Sequence, residues 1–264
     1  MMNAKNSMLA LGVCALFASV AGVAQAQSTV PTVQSLIGNK GSVTSGDKLF
    51  DQWGNPVTYP APVVGASGPL SSLAVTPLAD NGKGLGINFS FGNSPLAVTG
   101  DGGYAFTDFG FSFGVTATDP AQWITGAWLG DLVGLLGSTS ALNCTPSGDP
   151  LAPCNDLGIG IVEWVYADST VAALLGTMTA QFSYLDGVQD GFAVEDSISF
   201  AGQSSVWVVK DIIVWSVKTT DTATLSSFSQ RFTQSPSTNN VPEPSSLLLA
   251  GAALLAMVGR RRLS

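Results

Sequence analysis

The sequence predicts an all-β protein, an antiparallel β-sandwich of jelly-roll-like type. Three observations favour this class: short segments that alternate apolar with polar or small residues, 30 glycines, and turn signals at close spacing. The predicted sandwich covers residues 27–232, which is long enough to bury a substantial core. A signal peptide (1–26) is predicted before it, and a polar linker (233–240) and a tail (241–264) after it.

Residues 1–26 have the parts of a secretory signal peptide. A short polar start leads into an apolar run over residues 8–23, followed by the small-x-small site Ala24-Gln25-Ala26. Cleavage is therefore expected just before Gln27. Cys14 lies too early in the apolar run to mark a lipoprotein.

Alternating side chains predict the strands of the first half of the sandwich. Residues 33–37 are expected to form a first short strand, and residues 84–92 and 105–115 form longer ones. In 105–115 four apolar side chains share one face: Phe109, Phe111, Phe113 and Val115. Such an aromatic ladder could form a sugar-binding platform, but a place in the core is the favoured interpretation.

The segment 120–136 is ambiguous between helix and strand. Its apolar residues approximate helical spacing, while three glycines, at Gly126, Gly130 and Gly134, weaken a helix. A buried strand pair with a glycine turn fits the pattern equally well, so both interpretations stay open.

The second half contains further predicted strands at 158–166, 174–185, 197–200, 205–217 and 223–232. Glu163 lies on the first of these strands. Lys210 and Asp211 interrupt an otherwise apolar strand on both of its faces. Charged residues at such positions need partners or an exposed sheet edge.

The composition excludes several classes of function. The chain has no histidine, which removes His-based catalysis and most zinc sites. Its net charge of −8 argues against nucleic-acid binding. Glu163 has no assignable second carboxylate for glycoside hydrolysis, and the serines lack a Gly-x-Ser-x-Gly elbow. The sequence therefore predicts a protein that is not an enzyme.

Two cysteines remain after removal of the signal peptide. Cys144 and Cys154 flank a loop rich in proline and glycine, and in an exported chain they predict one disulfide. A metal site is the weaker alternative, because the sequence offers no further sulfur or imidazole ligand.

The densest acidic cluster is a candidate calcium site. Its carboxylates are Asp186, Asp190, Glu195 and Asp196. The spacing matches no EF-hand, and Asp-Gly pairs are first of all turn formers. Calcium is the one ion that this pattern suggests, and no other cofactor is predicted.

The tail has three parts in order. Val241-Pro242-Glu243-Pro244 is followed by a short apolar run over residues 245–259 and by Arg260, Arg261 and Arg262. This arrangement resembles the PEP-CTERM sorting signal of exported bacterial proteins, which an exosortase-type membrane protease processes. The resemblance implies a precursor anchored in the inner membrane and a final location at the cell surface or outside the cell.

The physical properties of the tail agree with that resemblance. The fifteen residues of the apolar run are short for a spanning helix, which needs roughly 20. Arginine side chains can extend such a span, and the positive-inside rule places them in the cytoplasm. The prolines keep the backbone upstream extended. A buried core helix with a basic end is the alternative.

Short motifs in the body resemble the ectodomains of other proteins with this signal. Gly46-Asp47-Lys48-Leu49-Phe50 matches a "GDK-x-F" opening, and Lys210-Asp211-Ile212 matches a "KDI" strand. Ser226, Gln230 and Phe232 fit a closing "S-x-x-x-Q-x-F" strand.

Two functional hypotheses follow from the sequence. The first is a non-catalytic surface or matrix protein associated with exopolysaccharide or biofilm. The second is a glycan-binding module, with or without calcium, suggested by six tryptophans: Trp53, Trp123, Trp128, Trp164, Trp207 and Trp215. Exposed tryptophans would favour glycan binding, and buried ones would favour the first hypothesis.

Overall fold

A computed structural model describes residues 30–55, 67–138, 157–185 and 188–237. These residues form the helices α1 (Val33–Asn39) and α2 (Ser67–Leu70) and a series of strands. The strands are β1 (Val43–Ser45), β2 (Lys48–Gly54), β3 (Ala74–Leu78), β4 (Leu85–Ser90), β5 (Leu96–Thr99), β6 (Ala105–Ala117), β7 (Gln122–Ser138), β8 (Leu157–Tyr166), β9 (Leu174–Leu185), β10 (Val188–Ala193), β11 (Asp196–Gln203), β12 (Ser205–Ser216) and β13 (Asp221–Pro236).

The strands form two antiparallel sheets that enclose one core. The first sheet has seven strands in the order β1-β2-β6-β12-β8-β9-β10. The second has six strands, with the order β11-β7-β13-β4-β3 and with β5 also paired to β13. Buried side chains from both sheets form a single hydrophobic cluster. The predicted antiparallel sandwich is confirmed, and the jelly-roll assignment stays a prediction.

The aromatic ladder of β6 lies in this core. Phe109, Phe111 and Phe113 have no exposed surface. Across the sandwich, the ring of Phe89 on β4 lies 5.1 Å from that of Phe111 and 4.8 Å from that of Phe228 on β13. Close aromatic pairs of this kind stabilise a core by about 0.5–1.5 kcal/mol beyond the burial of their area. The ladder therefore holds the sheets together and is not a sugar-binding platform.

The ambiguous segment 120–136 is part of one long strand, β7. It pairs with β13 on one side and β11 on the other. Its glycines leave room for neighbours: a Cβ at Gly134 would lie 2.2 Å from Ile159, and one at Gly130 would lie 2.2 Å from the Trp128 ring. The glycines therefore serve close packing, and the helical spacing of the apolar residues was misleading.

The predicted strand at 33–37 is wrong, because these residues belong to helix α1. Thr32 and Ser35 form a capping box: the Ser35 N–H donates to Thr32 Oγ1 at 3.2 Å, and the Thr32 N–H donates to Ser35 Oγ at 2.9 Å. Val33 and Leu36, three residues apart, bury the inner face of the helix. The Thr-x-x-Ser pattern was the signal that the sequence analysis missed.

Other boundaries also differ from the sequence analysis. The strand β13 continues to Pro236, past the boundary expected at residue 232, because Gln234 and Ser235 pair with β7. The polar composition of residues 233–236 suggested a linker, but their backbone pairs with β7 and extends the strand. The strands β3 and β5 were not predicted, since each is too short to show clear alternation. In the described part of the chain, no helix is both long and apolar enough to cross a bilayer.

Candidate functional site

The outer face of the seven-stranded sheet carries a group of two exposed aromatic side chains and one half-buried aromatic side chain. Phe106 on β6 and Trp215 on β12 are register partners on this face, and the Tyr104 ring lies 5.6 Å from that of Phe106. We call Tyr104, Phe106 and Trp215 the aromatic strip. Phe106 is 55% exposed and Tyr104 49%. The strip presents ring surface to solvent, which a planar or apolar ligand face can cover.

Glycines on the neighbouring strand β8 set the position of Trp215. A Cβ at Gly158 would lie 2.5 Å from the Trp215 ring, and one at Gly160 would lie 3.7 Å from it. The indole therefore lies across β8 instead of projecting away from the sheet. This arrangement holds the ring in a fixed orientation on the outer face.

Two carboxylates lie beside the aromatic strip. Asp211 opposes Gly110, and Asp108 opposes Ile213, so the two acids are diagonal neighbours on adjacent strands. Burial first, and then the hydrogen bond and negative charge of Asp108, together raise the pKa of Asp211 to about 6, while a hydrogen bond from the Ile212 N–H opposes the change. Below a pH of about 6 the Asp211 carboxyl can therefore donate a hydrogen bond, and above that pH it accepts.

A cavity of about 190 Å³ opens elsewhere on the same face. Gly114 on β6 is the register partner of Asp51 on β2 and of Trp207 on β12. Gly114 and Trp207 line the cavity. Burial raises the pKa of the Asp51 carboxyl, and a hydrogen bond with Gln52 opposes that shift. Trp207 is only 8% exposed, so its indole forms a wall of the cavity and not a free surface.

A charged cluster lies inside the core, on the other face of the same strands. Lys210 on β12 and Glu163 on β8 are register partners, and Gln230 comes from β13 in the opposite sheet. Lys210 Nζ donates to Glu163 Oε2 and, at 2.8 Å, to Gln230 Oε1. All three side chains are fully buried. We call them the Lys210 cluster.

Burial dominates the electrostatics of the Lys210 cluster. It raises the pKa of Glu163 and lowers that of Lys210, and the attraction between the two charges opposes both shifts. Lys210 Nζ also lies 5.7 Å from the Phe89 ring centre and 5.5 Å from that of Phe228. Glu163 Oε1 and Gln230 Nε2 make no hydrogen bond of good geometry, although Gln230 is close enough to lower the pKa of Glu163.

A second cluster has the same chemical groups but lies nearer the surface. Lys48 Nζ on β2 donates to Asp47 Oδ1 at 2.7 Å and to Gln234 Oε1 on β13. The Lys48 side chain is fully buried, while that of Asp47 is 22% exposed. Gln234 is exposed. We call these three residues the Lys48 cluster.

The tryptophans do not divide as either functional hypothesis required. Trp53, Trp128 and Trp207 are buried. The others, Trp123, Trp164 and Trp215, are half-buried. Neither set is fully exposed, so tryptophan exposure alone does not choose between a matrix protein and a glycan-binding module.

The predicted calcium ligands that the structure describes have protein partners. Lys83 Nζ donates to Glu195 Oε2, and Asp196 accepts the N–H groups of Thr179 and Ser197 at 3.0 and 2.7 Å. Asp186 and the side chain of Asp190 lie outside the described residues. Among the residues that are described, no three acidic or sulfur ligands gather in one place. The calcium site stays a prediction.

Several other predicted sites also lie outside the described residues. They are the signal cleavage site Ala24, Ala26 and Gln27, the cysteines Cys144 and Cys154, the tail motif Val241 to Pro244 and the arginines Arg260, Arg261 and Arg262.

The tail matches a known family of sorting motifs. The family described as "PEP-CTERM protein-sorting motif" matches residues 240–262, which include the Pro-Glu-Pro motif, the apolar run and the three arginines. The chain carries a PEP-CTERM sorting signal. The PEP-CTERM signal supports export through a membrane-anchored precursor and processing by exosortase. No curated protein matches the chain.

Proposed function

We propose that the chain is a non-catalytic protein of the cell surface or extracellular matrix, associated with exopolysaccharide or biofilm after sorting. The PEP-CTERM match at residues 240–262 carries this proposal. The burial of Glu163 and Lys210 supports it, because fully buried groups cannot reach a substrate. The acidic, two-sheet body is suited to a soluble exported domain.

The sorting step is tested by changing the motif itself. We expect Glu243→Ala combined with Pro242→Ala and Pro244→Ala to leave a full-length protein in the inner membrane. The wild-type protein should be cut near this motif and released. Mass spectrometry of each cell fraction measures the outcome, and Asn239→Ala, just upstream of the matched motif, is the control. Wild-type surface protein that still carries Leu247 to Ser264 would show that the tail is only an anchor.

The association with polysaccharide is tested separately. Cells that lack exopolysaccharide synthesis should release the processed protein into the medium, while polysaccharide-producing cells should retain it in the matrix. Immunoblots of the medium and matrix fractions give the distribution. An equal distribution in both strains would reject the matrix role without affecting the sorting step.

The aromatic strip favours a second candidate function, glycan binding. Sugar rings stack on aromatic faces, and the adjacent Asp108 and Asp211 can hydrogen-bond to hydroxyl groups. We expect Phe106→Ala with Trp215→Ala to abolish retention in affinity electrophoresis through exopolysaccharide. Phe192→Ala is the matched control, because Phe192 is 64% exposed and lies on β10, away from the strip.

Parallel gels with calcium and with a chelator determine whether the binding needs the predicted ion. Equal mobility of wild-type protein with and without polysaccharide would exclude glycan binding by the strip.

A further inference from the structure

The Lys210 cluster places a nucleophile, an acyl group and a proton-transfer group together inside the core. Lys210 Nζ lies 2.8 Å from the carbonyl oxygen of the Gln230 side chain. The Glu163 carboxylate contacts the same nitrogen. The three side chains come from different strands, β12, β13 and β8, and have no exposed surface. Their meeting is fixed by the sheet register and not by flexible loops.

We propose that Lys210 and Gln230 form an intramolecular isopeptide bond, with Glu163 transferring the proton. This modification goes beyond the proposed function and does not depend on it. The bond would join β12 of the seven-stranded sheet to β13 of the six-stranded sheet. It would also close a segment of the chain between residues separated by 20 positions.

The reaction needs no oxidant or further reactant. The lone pair of the neutral Lys210 amine attacks Cδ of Gln230, and a new C–N bond forms. The protonated Glu163 carboxyl gives its proton to the amide nitrogen of Gln230 and takes a proton from Lys210 Nζ, so that the acid is regenerated. The original C–N bond breaks and ammonia leaves, so a secondary amide replaces one amine and one primary amide.

The environment favours the neutral reactants that this step requires. Burial lowers the pKa of Lys210 and raises that of Glu163, which stabilises a free amine beside a protonated acid. Holding the groups in contact also removes much of the entropic barrier of a bimolecular reaction. The Phe89 and Phe228 rings near Lys210 Nζ exclude water that would compete with the amine.

The leaving group of Gln230, its amide nitrogen Nε2, lies near the Glu163 carboxyl. This nitrogen makes no hydrogen bond of good geometry to the described residues, and neither does Glu163 Oε1. The departing amine therefore has a carboxyl oxygen nearby and no competing acceptor that must first be displaced. In the Lys48 cluster, by contrast, the exposed Gln234 is open to water.

Mass spectrometry of the exported wild-type protein tests the proposal directly. After reduction and chymotrypsin digestion, we expect residues 208–215 and 229–232 in one linked peptide, lighter than the two separate peptides by one ammonia. Finding these peptides unlinked would overturn the proposal, and so would a link between Lys48 and Gln234 in their place. This experiment requires no variant and is independent of where the protein is sorted.

A variant tests the role of Glu163. We expect Glu163→Gln to give the unlinked peptides, since an amide cannot shuttle the proton, while Lys48→Met keeps the link. Full linkage in Glu163→Gln would show that the carboxyl is not the proton-transfer group. Circular dichroism of each variant before digestion shows whether it is folded, and a folded Glu163→Gln protein without the link assigns the proton transfer to the carboxyl.

Discussion

The Lys210 and Lys48 clusters contain the same chemical groups but differ in their access to water. Each lysine is fully buried and reaches from the seven-stranded sheet to a glutamine on β13. Glu163 is fully buried, whereas the Asp47 side chain is 22% exposed. Solvent access, and not residue type, therefore decides what each cluster can do.

The difference appears in how far water reaches the charged groups of the two sites. In the Lys210 cluster, burial acts against both charges and is only opposed by their attraction. In the Lys48 cluster, Asp47 keeps contact with water while it pairs with the lysine. The first site is suited to neutral chemistry or to a structural role in the core, and the second is an ordinary ion pair at the sheet edge.

The largest effect is expected from Lys210→Met. This change removes the proposed link to Gln230 and leaves the Glu163 carboxyl buried without the lysine that contacts it, and removing one partner of a buried pair costs about 3–5 kcal/mol of unfolding free energy. Urea unfolding at neutral pH measures the loss.

The double variant Lys210→Met with Glu163→Met is the control for that loss. It should recover part of the stability, because no buried carboxyl without a partner remains. A single variant as stable as the wild type would show that the pair contributes nothing to the core.

Lys48→Met should lower the unfolding free energy by less than Lys210→Met does, by about 1–2 kcal/mol. The lysine loses its ion pair with Asp47, but the acid and Gln234 can then be hydrated. The same urea experiment compares the two lysines. A loss equal to that of Lys210→Met would break the comparison and show that solvent access does not separate the clusters.

Asp211→Asn should stabilise the protein, and only above acidic pH. Since the folded-state pKa of Asp211 is raised to about 6, stability falls as pH rises from the ordinary value of 3.8 towards 6. The full penalty is present at higher pH. Allowing for solvent screening of this half-exposed group, we expect a gain of about 1–2 kcal/mol at roughly pH 8 and none at roughly pH 3.

The control for Asp211 is Asp101→Asn, an exposed carboxylate in a turn. It should leave stability nearly unchanged at both pH values. If Asp211→Asn gave the same gain in acid as in alkali, the pKa shift would not be its cause.

Much of the sandwich could be predicted because its strands alternate strongly. β6, β8, β9 and β12 were expected close to their observed bounds, and the buried face of β6 was correct. The helix α1 was not predicted because its short apolar segment also fits a strand. In the structure, a capping box of two small polar residues starts the helix there. β7 stayed ambiguous because its glycines serve contacts with Ile159 and Trp128, which the sequence does not reveal.

The sites were harder to predict than the strands. The sequence indicated that Lys210 needs a partner, but it did not identify Glu163 as that partner. The two residues are 47 positions apart, and only the strand order brings them opposite each other. Lys48, Lys210 and Gln230 all belong to the motifs that resemble other ectodomains, and the structure places them in the two clusters. The aromatic strip had no sequence signal, since Phe106 opposes Trp215 only through the pairing of β6 and β12, and Tyr104 joins the strip through its ring contact with Phe106.

The smallest effect should come from the surface pair of Lys83 and Glu195, which extends the comparison to full exposure. Their side chains are 40% and 55% exposed. Both charges are hydrated when separated, and salt screens their attraction, so such pairs contribute about 0–1 kcal/mol. Lys83 Nζ also lies 4.0 Å from the Trp128 ring centre, a contact that does not require Glu195.

Glu195→Gln should therefore change the unfolding free energy by less than about 0.5 kcal/mol, and molar sodium chloride should remove even that difference. Lys83→Met should cost more than Glu195→Gln, because it loses the contact with Trp128 as well as the ion pair. Urea unfolding of both variants at low and high salt measures these terms. The opposite result would be that Glu195→Gln lowers the unfolding free energy as much as Lys48→Met does, in high salt as well as in low salt. That result would contradict the expectation that the stability contribution of the three lysine–carboxylate pairs increases with their burial.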